Sequence, residues 1–212
     1  MNWARHERQE IADLFTTIGP DAPTLDEGWT TSDLAAHLVI RDRRPDAAAG
    51  LVVPALAAHG EKVRLQVRDQ PWPDLVALVR TGPPSWSPAA FEAIDRAINT
   101  VEFFVHHEDV RRAPEGWEPR PADGDLEHEL WRRLRPMAWL LCRRSPLGLV
   151  LRRSNVDEVV AKRPGTDGRT VTVSGPASEL LLFAYGRQAH ARVDITAAGD
   201  DAATILAARL GF

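Results

Sequence analysis

Glu102 and His106 stand four residues apart in the stretch Asn99-Thr100-Val101-Glu102-Phe103-Phe104-Val105-His106-His107-Glu108-Asp109. At 3.6 residues per turn, positions i and i+4 share one side of a helix. A carboxylate and an imidazole placed this way can hold one cation, and Zn²⁺ takes both ligand types at about 2.0–2.2 Å. Alone, such a pair is more often a solvated helix edge carrying a weak ion pair. His37 bears on the choice. It lies between Leu34 and Leu38, on a helix whose apolar side must face the core. A lone histidine there is more often a packed core residue. Set beside Glu102 and His106, however, it would give two histidines and one carboxylate with coordination positions left open. Catalytic zinc sites have that form, three protein ligands and an open position.

Other polar residues offer weaker chemistry. Arg41 comes one turn after His37 on the same side and can meet an anionic substrate or a cofactor carboxylate. The competing reading is a snorkelling or ion-paired arginine. Arg187 follows Gly186 in the tail, either as a residue reaching the metal cleft or as a capping or surface group. His107 points about 100° away from His106 and should not share its ion. His6, His59, His128 and His190 have no companions at ligand spacing and read as solvated or packing residues. Cys142, the single cysteine, follows Leu140 and Leu141 and reads as a buried packing residue rather than a nucleophile. The Arg-Arg pairs at 43–44, 111–112, 132–133, 143–144 and 152–153 fall near element ends and read as solvated helix ends, not a phosphate site.

These side chains must be positioned by helices. Ile11, Leu14, Phe15 and Ile18 predict an amphipathic helix from about Ala4 to Ile18, closed by Gly19-Pro20. Thr30-Thr31-Ser32-Asp33 has the capping-box form and opens the helix of His37, which should stop near Pro45. Helical pieces are expected around Ala47–His59 and Asp74–Val79, broken by Pro54, Gly60, Pro71 and Pro73. Ser87-Pro88 marks a further start, with serine as cap and proline at the first helical position. The helix it opens should run to about Arg112. It carries an apolar stripe of Phe91, Ile94, Ile98, Val101 and Val105, bordered by Asp95, Asn99, Glu102, His106 and Asp109. Three prolines and two glycines between Pro114 and Gly124 make a connection. A helix through Leu126, Leu130, Leu134, Met137 and Leu141 follows. After Pro146 the period changes: strands are predicted at 149–151, 156–160, 170–173 and 191–196, with helices over 177–185 and 201–210. Residues 1–145 therefore read as a helical domain and residues 146–212 as a small α+β domain.

With 212 residues, net charge −4 and only two lysines, Lys62 and Lys162, the chain has no polycationic footprint for nucleic acid. One cysteine excludes an intrachain disulfide and a cysteine-rich zinc site. No uncharged apolar run approaches the roughly 20 residues of a membrane span, and residues 1–8 lack the apolar core of a signal peptide. A soluble, cytoplasmic protein is expected.

Trp29-Thr30-Thr31-Ser32-Asp33-Leu34-Ala35-Ala36-His37-Leu38 and Glu102-Phe103-Phe104-Val105-His106-His107-Glu108-Asp109-Val110 together resemble the DinB-like superfamily. More narrowly they resemble its actinobacterial branch around mycothiol-dependent maleylpyruvate isomerase, with its tryptophan, its helical histidine and its Glu-x-x-x-His-x-x-Asp helix. The resemblance implies an up-down-down-up four-helix bundle holding a divalent metal, usually zinc. Its ligands would be His37, Glu102 and His106, with Asp109 as a supporting partner. Gly175-Pro176-Ala177 through Tyr185-Gly186-Arg187, followed by Val193-Asp194-Ile195 and Gly199-Asp200, resembles the branch's sterol-carrier-like C-terminal domain.

Such isomerases use an external thiol, mycothiol. The implied activity is therefore metal activation of a small-molecule thiol toward an electrophilic substrate, giving isomerisation or S-transfer. Two alternatives stay open: a non-catalytic metal- or apolar-ligand-binding module of a stress response, and a metal-dependent hydrolase. An Fe(II) oxygenase ranks last, since those usually build the triad on a β scaffold.

Overall fold

The computed structural model describes residues 1–48, 50, 53–84, 92–121, 123–154 and 157–211; of residues 92–98 it describes the helical backbone. Contacts divide the chain into two compact units, Met1–Glu118 and Pro119–Phe212. The first holds α1 (Trp3–Ile18), α2 (Thr31–Arg43), α3 (Pro45–Ala48), α4 (Ala57–Arg68), α5 (Trp72–Thr81) and α6 (Glu92–Arg111). The second holds α7 (Gly124–Leu141), β1 (Gly148–Ser154), β2 (Asp157–Lys162), β3 (Thr170–Ser174), α8 (Ala177–Ala184), β4 (Asp194–Thr196) and α9 (Asp201–Leu206). The chain is thus helix-rich with one small sheet. The change of period at residues 145/146 marks the step from helix to strand. The division into compact units falls earlier, after Glu118, because α7 packs on α8 and β2.

In the first unit, Asn2 caps α1 through its side-chain oxygen, which accepts from the Arg5 amide at 3.1 Å. Gly19 ends the helix at φ 81°, a left-handed value that suits glycine. The capping box forms as predicted: the Thr30 amide donates to Asp33 Oδ2 at 3.1 Å. Asp33 also accepts from Arg64 and Arg68 of α4. Burial pushes its pKa up, but the bonds to Arg64, Thr30 and Arg68 outweigh that and hold it at about 2. The core joins Ile11 and Phe15 of α1, Leu34 and Leu38 of α2, Val63 and Val67 of α4, Leu75 and Val79 of α5, and Phe103 and Val110 of α6.

One helical expectation is corrected. Gly60 does not break the chain; it lies inside α4. A Cβ on Gly60 would stand 2.9 Å from the Ala47 carbonyl oxygen, and one on Gly50 would stand 2.6 Å from that of Leu56. Both glycines serve a close backbone approach, which outweighs the low helix propensity of Gly60. Pro71 and Pro73 likewise open α5 rather than interrupt it. The predicted start at Ser87-Pro88, Phe91, and the side chains of Ile94, Asp95 and Ile98 lie outside the described residues. From Asn99 onward α6 is interior almost all round, with Asn99, Val101, Phe103, Phe104, Val105, His106, His107, Glu108, Asp109 and Val110 all buried. Of the polar border read from the sequence, Asn99, His106 and Asp109 are therefore inside the fold and Glu102 is partly so.

In the second unit the sheet order is β2-β1-β3-β4, with β1 antiparallel to β2, parallel to β3, and β3 antiparallel to β4. Leu149 and Leu151 of β1 and Val171 and Val173 of β3 alternate inward and are fully buried. Glu127 of α7 accepts from the Ser178 amide at 3.1 Å, satisfying one of the free donors at the start of α8. β4 is shorter than predicted, beginning at Asp194 rather than 191; before it, Gln188–His190 forms a 3₁₀ turn whose Gln188 side chain donates to the Ala208 carbonyl at 2.6 Å. The last helix stops at Leu206 rather than 210. Among the described residues, no helix is long and apolar enough to cross a membrane.

Candidate metal centre

His37 sits midway along α2, Glu102 and His106 one turn apart on α6, and the fold brings these two helices together at one carboxylate oxygen. Glu102 Oε1 lies 3.2 Å from His37 Nε2, 3.1 Å from His106 Nε2 and 3.0 Å from Arg41 Nη1. The two imidazole rings meet edge to face, centroids 5.1 Å apart. Ring nitrogens converging on one oxygen trace the edges of a small polyhedron. Bonds of about 2.0–2.1 Å to a tetrahedral ion would put ligand atoms roughly 3.3 Å apart, close to the 3.1 and 3.2 Å seen here. One ligand atom from each of His37, Glu102 and His106 lies within 4.8 Å of the others.

The electrostatics differ sharply between the two imidazoles. Burial drives His37 down to about 4, so it is neutral at physiological pH, and its Nδ1 is buried without a partner among the described residues. Burial also opposes charge on His106, but Asp109 and Glu102 outweigh it and hold the ring at about 9. Burial opposes ionisation of Glu102 as well, yet hydrogen bonds from His106 and His37 hold it well below the usual carboxylate range. A partly buried carboxylate facing a protonated ring and a guanidinium is held in its ionised form.

Behind His106 stand two more carboxylates. Its Nδ1 lies 2.9 Å from Asp109 Oδ2 and 3.6 Å from Asp26 Oδ2. This fixes the ring so that Nε2 faces Glu102. The loop that supplies Asp26 is tied to α6, since the Leu25 amide donates to the Asp109 carbonyl at 3.0 Å. The same loop lays Trp29 against His37, centroids 5.5 Å apart, and Arg64 covers the other partner, with its guanidinium carbon 4.9 Å from the Trp29 ring.

No protein-family model matches the chain, and no curated protein matches it. Solved structures do. A histidine-to-alanine variant of mycothiol-dependent maleylpyruvate isomerase superposes with a TM-score of 0.62 at 18% identity, covering 92% of this chain and 90% of that chain. Mycothiol-dependent maleylpyruvate isomerase itself gives 0.56 at 20% identity over the same shares. The chain has the fold of that isomerase. The resemblance carried by residues 29–38 and 102–110 thus holds at the level of fold.

Within this isomerase fold the remaining sequence candidates separate. Arg41 joins the cluster at Glu102. Asp109 stands at His106, as expected of a supporting carboxylate. Arg187 donates to the Tyr185 carbonyl at 2.8 Å, a capping contact inside the second unit. His107 turns away from His106 and lies 2.9 Å from Glu7 Oε2. Exposed His59 meets Asp46. Cys142 is fully buried and its thiol is pushed up to about 12 by burial, which removes it as a nucleophile. Of the arginine pairs, Arg132 and Arg133 meet Glu129 and Arg152 meets Glu158, whereas Arg112, read as a solvated helix end, is fully buried on Glu108. Asp26 escaped the sequence reading. It lies in an aperiodic loop, and its one signal is adjacency to the capping box that opens the helix of His37.

Proposed function

We propose that His37, Glu102 and His106 hold one divalent cation, zinc by donor chemistry, and that the protein uses it to activate a small-molecule thiol toward an electrophilic substrate. In this reading the first unit is a DinB-like four-helix bundle and the second a sterol-carrier-like domain. The observation that carries the reading is the convergence of two ring nitrogens on one partly buried carboxylate oxygen at the edge lengths of a tetrahedral site. Two imidazoles and a carboxylate suit zinc, and they leave a position for a further ligand. When bound, the ion would lower the pKa of a thiol at that position and keep it as thiolate.

The chain's own residues do the rest. Neutral His37 and the carboxylate of Glu102 offer lone pairs, while Asp109 and Asp26 hold the Nδ1 side of His106 so that Nε2 faces the site. The thiol comes from outside, because Cys142 is sealed in the second unit. Mycothiol is the thiol we propose, since proteins of this fold include a mycothiol-dependent isomerase. Addition of the thiolate to an activated double bond, rotation about the resulting single bond and elimination of the same thiolate would give cis–trans isomerisation. Addition without elimination would give S-transfer. We place the reaction in the cytoplasm, where small thiols are kept reduced.

A panel of electrophiles with and without added thiol tests this with zinc-loaded protein. Thiol-dependent turnover that disappears in Glu102→Ala supports the proposal, and Cys142→Ala should leave it unchanged. Turnover without thiol would make the protein a hydrolase, and zinc binding without any turnover a binding module; either result overturns the thiol chemistry.

A further inference from the structure

We propose that Thr24, in the loop between α1 and α2, is a positioning residue for both imidazoles of the metal centre, acting through Asp26 on His106 and through Trp29 on His37. In the metal reading above, on which this rests, α2 and α6 carry the ligands. An imidazole on a helix still turns about its side-chain torsions, and a partner behind the ring decides which nitrogen faces the ion. The loop of residues 19–30 puts such a partner on each ring. Asp26 Oδ2 lies 3.6 Å from His106 Nδ1, and the Trp29 ring lies 5.5 Å from that of His37, centroid to centroid.

The loop is pinned to both helices. At α2 the Thr31 hydroxyl donates to the Gly19 carbonyl at 2.6 Å, the Thr31 amide to that of Ala22 at 2.9 Å, and the Ser32 amide to that of Pro20 at 2.9 Å. Pro23 and Thr30 add an antiparallel bridge. At α6 the Leu25 amide holds the Asp109 carbonyl. Arg64, anchored on Asp33 and Glu61, covers Trp29.

Between these pins stands the half-buried Thr24. Its hydroxyl donates to the Trp29 carbonyl at 3.1 Å and to the Asp26 carbonyl at 3.3 Å, and accepts from the Asp26 amide at 3.2 Å. One O–H and its lone pairs serve all three contacts. The Trp29 amide in turn donates to the Asp26 carbonyl at 3.0 Å, closing a turn whose tip is exposed Glu27-Gly28. The hydroxyl therefore grips the backbone of the same two residues whose side chains meet the two rings. A loop that only joined α1 to α2 would need the pins; it would not need one hydroxyl to hold Asp26 and Trp29 in fixed relation.

Zinc affinity, read by competition with a chromogenic chelator, tests this on wild type, Thr24→Val and Thr24→Ser, with urea unfolding of the zinc-free proteins beside it. Valine keeps the shape and removes the hydroxyl; serine keeps the hydroxyl. Expected is a loss of about ten-fold for Thr24→Val and wild-type affinity for Thr24→Ser. In an Asp26→Asn/Trp29→Leu background, Thr24→Val should cost no more than about two-fold, because its effect travels through those two side chains. Asn2→Ala, which uncaps α1 away from the loop, should lower stability and leave zinc affinity unchanged. Wild type that binds no zinc overturns the metal reading and this inference with it. Where wild type binds zinc, the inference alone is overturned by Thr24→Val at wild-type affinity or by Thr24→Ser as weak as Thr24→Val. It is overturned equally by a full loss persisting in the Asp26→Asn/Trp29→Leu background, or by an equal loss in Asn2→Ala; either marks a purely structural threonine.

Discussion

His106 and His107 are consecutive, both buried, and each meets a glutamate, yet the two faces of α6 follow opposite plans. On the His107 side one ring nitrogen faces Glu7 of α1 at 2.9 Å, a contact that staples two helices. On the His106 side one glutamate oxygen faces three nitrogens, and the imidazole has two further carboxylates behind it. Residue type does not distinguish these faces. The difference is convergence: the first contact joins two side chains, whereas the second draws two imidazoles and a guanidinium from two helices onto one oxygen. Gathering charged and polar side chains inside a fold is costly, and the His106 face is the one to which we assign the ion.

The contrast can be broken most directly at Glu102. Glu102→Ala should lower zinc affinity by more than about 100-fold, beyond the 10–100-fold typical of losing an outer partner, as measured by competition with a chromogenic chelator. Asp109→Asn is such an outer change; it keeps the shape and weakens the hold on His106 Nδ1, so a loss of about 10–100-fold is expected in the same assay. Equal losses for the two variants would erase the distinction between ligand and support.

Acid sharpens the comparison from the α2 side. Asp33 caps the helix that carries His37, and its pKa falls from 3.8 to about 2 on folding. A depressed carboxylate contributes stability that is full above its unfolded pKa and is lost as pH falls through the folded one. The contribution is about 2 kcal/mol, so urea unfolding should show that loss between about pH 5 and pH 2 and a smaller one in Asp33→Asn. The weakest effect on zinc is expected at Glu7. Glu7→Ala strands a buried ring nitrogen and should cost about 1–3 kcal/mol of stability, with zinc affinity unchanged. A change in zinc affinity there would join the two faces into one site.

How far the sequence carries depends on whether a feature is local. The capping box at Thr30–Asp33 is a matter of four residues and forms as read. The i, i+4 relation of Glu102 and His106 is equally local and survives intact. His37 is separated from Glu102 by 65 positions, and no periodicity links them; its residue type made it a candidate, and the family resemblance placed it with the other two. Asp26 depends on a loop folding back so that Leu25 meets Asp109, a tertiary event without a local signature. Gly60 misled for the same reason, because its neighbour across the approach, Gly50, belongs to a different segment.

The central claim is that one ion joins α2 to α6 through two imidazoles and a carboxylate. Zinc K-edge X-ray absorption on the zinc-loaded protein tests it most directly. The spectrum should show two imidazole nitrogens and a carboxylate oxygen in the coordination shell, with one imidazole lost in His37→Ala. Failure to bind stoichiometric zinc, or a spectrum indifferent to His37→Ala, would contradict it.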